Sequence, residues 1–433
     1  MTRRPSSVST RPSRRSRSRP RAVGDGNPAP TVTRGEQMLA LRRRRMAASP
    51  PILRGGFRPF FFGGASWAVI AIALWLLSLS GALTLPTAFD PLAWHRHEML
   101  FGFVGAIMCG FLLTAIPNWT GRLPIAGWPL ASLFGLWLVA RLAVLGSALV
   151  GRLPAAVLDA GFFVVLAVLG AREVVAAKNR NFPVVGMILL FGIADALDHA
   201  AVGGLIAAPD IGWRAGIAIV VLLISLIGGR VTPSFTRNWM VKQGMTLGLP
   251  TQPGAFDTLT IAGTAIALVF WLATPGEPMA GMMLILAALL QLMRLARWRG
   301  WRTLRDPLVL ILHVGYLWVP LGLFLLGWSI AGSAIPRSAA IHALTAGAMA
   351  TMILAVMTRA SLGHTARELR ANAATQAIYV LVTLGAVLRV AASVGAGPYM
   401  PMIDTAGLLW GSALLLFLIA YAPVLWRPRL GEA

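Results

Sequence analysis

The sequence predicts an all-α integral membrane protein, a single bundle of about twelve transmembrane helices. Three observations carry that prediction. Hydrophobic residues make up 57% of the 433 and charged residues only 12%, a balance that no water-soluble core of this length accommodates. The apolar residues gather in twelve runs close to the roughly 20 residues that cross a bilayer. Lys and Arg then fall mostly in alternate connections, as expected of loops held in the cytoplasm.

In chain order the runs are Phe60 to Leu85, His97 to Ile116, Trp128 to Val150, Pro154 to Ala171, Pro183 to Ile206 and Trp213 to Gly229. They continue with Phe256 to Thr274, Pro278 to Met293, Pro307 to Ile330, Ser338 to Met357, Ala374 to Val394 and Met402 to Val424. With both termini inside, the inner loops and carboxyl tail hold Arg122, Arg172, Lys178, Arg230, Arg237, Lys242, Arg294, Arg359 and Arg427 among others. The outer loops hold only Arg96, Arg152, Arg214 and Arg337. That bias requires an even number of spans, and an odd miscount would scramble it.

Residues 1–52 read as a disordered, basic cytoplasmic tail and residues 53–433 as the membrane domain. The formal charge of +23 is concentrated at the start, where residues 1–58 hold fifteen arginines against Asp25 and Glu36. The Ser, Pro and Arg content there is too polar to pack. Such a segment orients the chain and touches anionic lipid; no folded module accompanies it, so no nucleic-acid partner is expected. The first apolar run has full span length and no small-residue cleavage site, so it should remain as the first helix. One cysteine, Cys109, excludes an internal disulfide and reads as a small packing residue.

Small residues four apart mark the second run (Gly102, Ala106, Gly110) and the tenth (Ala343, Gly347, Thr351, Ala355). Such stripes let helices approach closely, which makes these two spans interior. A weak repeat links Ile116 to Arg122, Pro233 to Trp239 and Met357 to Ser361, each mixing Thr and Arg with small polar residues. Its spacing of four spans suggests three sets of four, an arrangement shared by haem-copper oxidases.

Ionisable residues inside a bilayer are costly and mark function by default. The six histidines fall in two tiers. His95 and His97 open the second run, His342 opens the tenth and His199 lies in the fifth, all toward the outer side; His313 and His364 lie toward the inner side. Imidazole suits haem iron and copper equally, so all six are candidate metal ligands. Arg141 and Arg389 fall in outer halves of spans and would serve haem propionates, but Arg141 would equally pair with Asp159 on the next helix. Asp195 and His199 share a helix face, so the carboxylate would orient the imidazole; a proton relay through Asp195, Asp198 and His199, or through Glu98, is the other use.

Four strings resemble the NnrS proteins: Gly56 to Phe61, Trp94 to Phe103, Ile116 to Arg122 and Gly229 to Trp239, joined by His342 to Gly347 continuing through Thr351 to Thr365. The resemblance runs from about residue 52 to the carboxyl end. It implies a bacterial inner-membrane protein containing haem and copper, linked to denitrification and to protection from nitric oxide and nitrosative stress. Nitric oxide or another small gas would be its ligand. On that basis His97 and His342 are the axial haem candidates, with Arg141 and Arg389 also at the cofactor. His95 and His199 are copper candidates, followed by His313 and His364. The sequence leaves open a centre that senses, scavenges or turns over nitric oxide, a transporter of copper, haem or another small solute, and an electron-carrying partner of a reductase with its own electron donor.

Overall fold

The computed structural model describes residues 37, 40, 41, 44 and 47–431 except 333. The chain divides into Met1–Arg42 and Arg43–Ala433. Most of the expected basic tail therefore lies outside the described residues. The described part of the second unit is helical throughout its regular structure, and twelve of its helices are long and apolar enough to cross a membrane.

These are α1 (Phe57–Leu79), α2 (Pro91–Thr120), α3 (Trp128–Leu145), α4 (Arg152–Ala176), α5 (Phe182–Val202) and α6 (Ile211–Lys242). They are followed by α7 (Ala255–Ala273), α8 (Pro278–Ala296), α9 (Pro307–Ile330), α10 (Arg337–His364), α11 (Ala373–Ser393) and α12 (Tyr399–Trp426). Every predicted run is present. Each helix packs against the next in sequence, and α12 returns to lie along α1. Burial confirms that α2 and α10 are interior: 78% and 67% of their most apolar stretches are buried, against 33% for α7, α11 and α12.

Local chemistry sets the helix ends. Asp90 starts α2 by accepting from the Leu92 and Ala93 N–H groups ahead of Pro91, and Asp306 starts α9 by accepting from Leu308 N–H ahead of Pro307. A capping carboxylate satisfies amides that have no partner within the helix, and proline at the first position costs no hydrogen bond. The first helix ends at Leu79, short of the predicted Leu85, because Gly81 adopts φ +75° and the Ala82 N–H bonds back to Leu77 O. That left-handed glycine turn closes a helix.

Two inner-side expectations need correction. The stretch after Gly229, read as loop, continues α6 to Lys242: Thr232, Thr236 and Met240 are buried at a spacing of four while Arg230, Arg237 and Lys242 face outward. Arg294, counted among the inner-loop charges, is buried on α8. It donates to Asp257 Oδ1 on α7 (2.7 Å), Ser225 O on α6 (2.7 Å) and Tyr316 Oη on α9 (3.1 Å). A guanidinium in an apolar bundle must find such acceptors or leave it.

Three interior helices leave the α pattern midway. Residues Glu98–Val104 of α2, Ile224–Gly228 of α6 and Ala343–Met349 of α10 are π-helical. Each wide turn holds one residue more than an α-turn and is frequent at functional sites. Glycines Gly102, Gly228 and Gly347 sit within them, where an added Cβ would press on the Trp318 indole at Gly347 (2.5 Å) and on Met352 Cε at Gly228 (3.1 Å).

A close backbone approach joins α8 and α9, where a Cβ on Gly281 would stand 2.7 Å from Gly327 O and one on Gly327 2.5 Å from Gly281 O. Gly327→Val should force these helices apart at a cost of about 1–3 kcal/mol, read as a lowered unfolding temperature in detergent. Gly161→Val on α4, where an added Cβ meets nothing within 4 Å, is the control expected to change little.

Candidate metal centre

The N-terminal halves of α2 and α4 and the C-terminal half of α5 converge on a group of imidazoles and carboxylates largely sealed from solvent. His97, Glu98, Arg141, Asp159 and Asp195 have no exposed surface, and Asp198 has 2%. The helices deliver these groups by spacing alone: Asp195, Asp198 and His199 share one face of α5, and His97 and Glu98 sit where α2 passes into its π turn. Gly212 allows the start of α6 to press directly on the backbone of Asp198.

Both ring nitrogens of His97 face carboxylates, Nδ1 to Asp198 Oδ2 at 2.9 Å and Nε2 to Asp159 Oδ2 at 2.8 Å, with Asp195 Oδ1 at 3.5 Å. His199 Nε2 meets the same Asp159 Oδ2 at 3.2 Å, and the two imidazole rings lie 4.7 Å apart edge to face. One ligand-type atom from each of His97, Asp159, Asp195 and His199 falls within 4.8 Å of every other. Phe89 and Phe101 wall the group at 4.9 and 5.2 Å from the His97 ring.

Among the described residues Arg141 is the one guanidinium paired with this group. It donates through Nη1 to Glu98 Oε2 at 2.8 Å and through Nη2 to Asp159 Oδ1. Trp67 Nε1 donates to Glu98 Oε2 at 2.6 Å, and Trp137 Nε1 to Gly102 O at 3.0 Å. A side chain at Gly102 would strike Glu98, Arg141 Nη1 (2.9 Å) and Trp67 Nε1 (3.1 Å), so the triad requires glycine there.

Four carboxyl groups therefore share one arginine. Both oxygens of Asp195 and Oε1 of Glu98 are buried without a hydrogen-bond partner. A buried carboxylate with no donor is tolerated only when protonated or beside a cation. An imidazole flanked by carboxylates on both nitrogens is either an imidazolium donating twice or a metal ligand held by one of them. The set of two imidazoles and two carboxylates suits a first-row divalent metal, copper(II) included.

The structure sorts the sequence candidates differently from expectation. His97 is brought together with His199, and Arg141 forms the ion pair with Asp159 that was the alternative to a propionate contact. His95 is placed elsewhere: its ring stacks on Trp75 at 4.5 Å, its Nδ1 is buried without a partner, and His342, Arg389 and Arg96 are its electrostatic neighbours. His342 Nδ1 donates to Ser338 O at 2.7 Å, which leaves Nε2 carrying the lone pair. Arg389 donates to Ser393 Oγ at 2.6 Å and lies by Tyr399. His313 meets Thr236 Oγ1 at 2.8 Å, and His364 packs on Phe57 at the end of α10, so neither enters either group.

The sequence offers Asp159 only as an ion-pair partner of Arg141, Asp195 as an orienting carboxylate for His199, and Asp195 and Asp198 as a relay. Their signal was there: three acidic residues inside apolar runs, each matched to a fold position facing His97.

Removing the shared cation should be severe. Arg141→Met leaves Glu98 and Asp159 uncompensated, at a cost of about 3–5 kcal/mol for a broken buried pair, seen as lost membrane yield or a lower unfolding temperature. Arg141→Met combined with Asp159→Asn should recover part of that loss.

Compared with known proteins, the profile described as NnrS protein matches residues 51–429. No curated protein matches this chain.

Proposed function

As the chain belongs to the NnrS family, we propose that it is a haem- and copper-binding membrane protein of the nitric oxide response, in which the His97–Asp159–Asp195–His199 group would hold copper and His95 and His342 would hold haem. The observation that carries this reading is Asp195: two fully buried oxygens without a donor, beside two imidazoles and only one arginine. Such a site is completed by a cation.

In that reading Asp198 accepts the Nδ1 proton of His97 and fixes the tautomer that leaves Nε2 to the metal. Asp159 bridges Arg141 to both imidazoles. Glu98, tied to Trp67 and Arg141 by one oxygen, keeps the other for a proton. His342 is prepared in the same way by its bond to Ser338 O, and the unpartnered nitrogen of His95 faces no competing group on its own protein. Arg389 and Arg96 supply positive charge where haem carboxylates would need it. Bound haem and copper supply one-electron chemistry and affinity for nitric oxide. Nitric oxide is small and uncharged, so it reaches such a site through lipid and packed side chains. Denitrification and defence against nitrosative stress are the settings that the family resemblance gives.

The π turns with their glycines recur at a spacing of four spans, in α2, α6 and α10, which supports three sets of four. The charge asymmetry supports the bacterial inner membrane with both termini in the cytoplasm.

Metal analysis and absorption spectra of the purified protein test the assignment. The wild type should carry iron porphyrin and copper near one each per chain, with a Soret band that shifts under nitric oxide. His95→Ala should lose the Soret band and keep copper; His97→Ala should do the reverse. Asp198→Asn should weaken the metal by about 10–100-fold without loss of folding. A preparation grown with ample iron and copper that holds neither would overturn the proposal.

A further inference from the structure

Inward of the metal group lies a cavity of about 430 Å³ between α2, α5, α6, α9 and α10. Its volume is that of a small-molecule site, and it is long. Lining residues run from Val220 to Phe235 on α6 and from Met349 to His364 on α10, about 22 Å of helix in each case. The walls are almost wholly aliphatic, with Met108, Met349 and Met352 among them, side chains that adapt to an irregular guest. Phe101 packs between His97 and Phe191 at 5.2 and 5.0 Å, and no residue of the carboxylate group lines this space.

The polar residues of the lining stand at one end. Arg359 is held over the Phe235 ring at 3.9 Å, and among the described residues no carboxylate lies within 4.0 Å of it. Asp306 is in longer electrostatic reach, but its Oδ1 already caps α9. His364 ends α10 at the same mouth with Arg429 as its charged neighbour, and in the turn that follows Arg367 has a buried Nη1 with no acceptor. One end of a long apolar chamber thus offers donors and positive charge that the protein itself leaves unanswered.

We infer that this chamber binds an anionic amphiphile, its acyl chain along α6 and α10 and its oxyanion head at Arg359. The elongated shape fits a chain rather than a flat macrocycle, and the mouth fits a carboxylate or phosphate rather than a neutral head. A free fatty acid and an anionic phospholipid share that chemistry. This inference stands apart from the metal assignment, because none of its residues belongs to that group.

The test uses the full chain in phosphatidylcholine nanodiscs, titrated with cis-parinaric acid as a fluorescent carboxylate and competed with oleate, oleyl alcohol or phosphatidylglycerol. Saturable binding of about one probe per chain is expected, with oleyl alcohol and the Arg359→Gln variant each weaker by about tenfold, the value of one charge-assisted hydrogen bond. Val356→Phe, which fills the chamber and leaves the mouth intact, should also reduce binding. Competition by phosphatidylglycerol identifies phospholipid as the source; competition by oleate alone identifies the free acid. Absence of saturable binding, equal affinity for oleyl alcohol and oleate, or full affinity in both variants would overturn the inference. Metal content measured on the same samples keeps its outcome distinct from that of the haem and copper assignment.

Discussion

Charge that cannot reach water organises one end of this bundle. Glu98, Asp159, Asp195 and Asp198 are drawn inward around His97 and a single guanidinium, because facing lipid would cost each of them several kcal/mol. Most of the local packing serves that arrangement. Gly102 clears room for the Glu98–Arg141–Trp67 contacts, Gly212 lets α6 close over Asp198, and Phe89 and Phe101 exclude water from the imidazole faces. A low-dielectric setting strengthens each satisfied contact and penalises each unsatisfied one. The unsatisfied oxygens of Asp195 are therefore the informative feature of the site.

The same rule acts in a second buried network, between α6, α7, α8 and α9. Arg294, Asp257, Ser225, Gln291, Thr264 and Tyr316 form a closed network in which Gln291 donates to Ser225 Oγ and Thr264 Oγ1 and accepts from Tyr316. One cation meets one carboxylate there, and the neutral partners supply the rest. The balanced network leaves no carboxylate oxygen of Asp257 to be answered from outside, whereas the acid-rich one leaves both oxygens of Asp195 without a donor.

Much of the fold was legible because hydropathy alone defines a span. The ends were less so, since they rest on turn chemistry such as Gly81 and on the amphipathic continuation of α6, where a polar sequence still buries Thr232, Thr236 and Met240. The interior place of α2 and α10 followed from their small residues. Site residues were visible singly but not as partners. His95 and His97 are two positions apart, which turns them by about 200° around a helix, so pairing either with His342 depends on the rotation of α2. Uniformly apolar flanks leave that rotation unspecified in sequence. The link from His97 to Asp159 and Asp198 joins three helices, and no local pattern encodes it.

The π turn in α2 carries its own consequence. One surplus residue between Glu98 and Val104 rotates everything before it by about 100° relative to an unbroken α-helix, so the N-terminal and C-terminal halves of α2 obey different registers. The C-terminal half seats its small residues against α1, while the N-terminal half aims His97 at α4 and α5 and His95 toward α10. A family that gained or lost that single residue would keep its hydropathy profile and its membrane topology, yet aim these imidazoles at other neighbours.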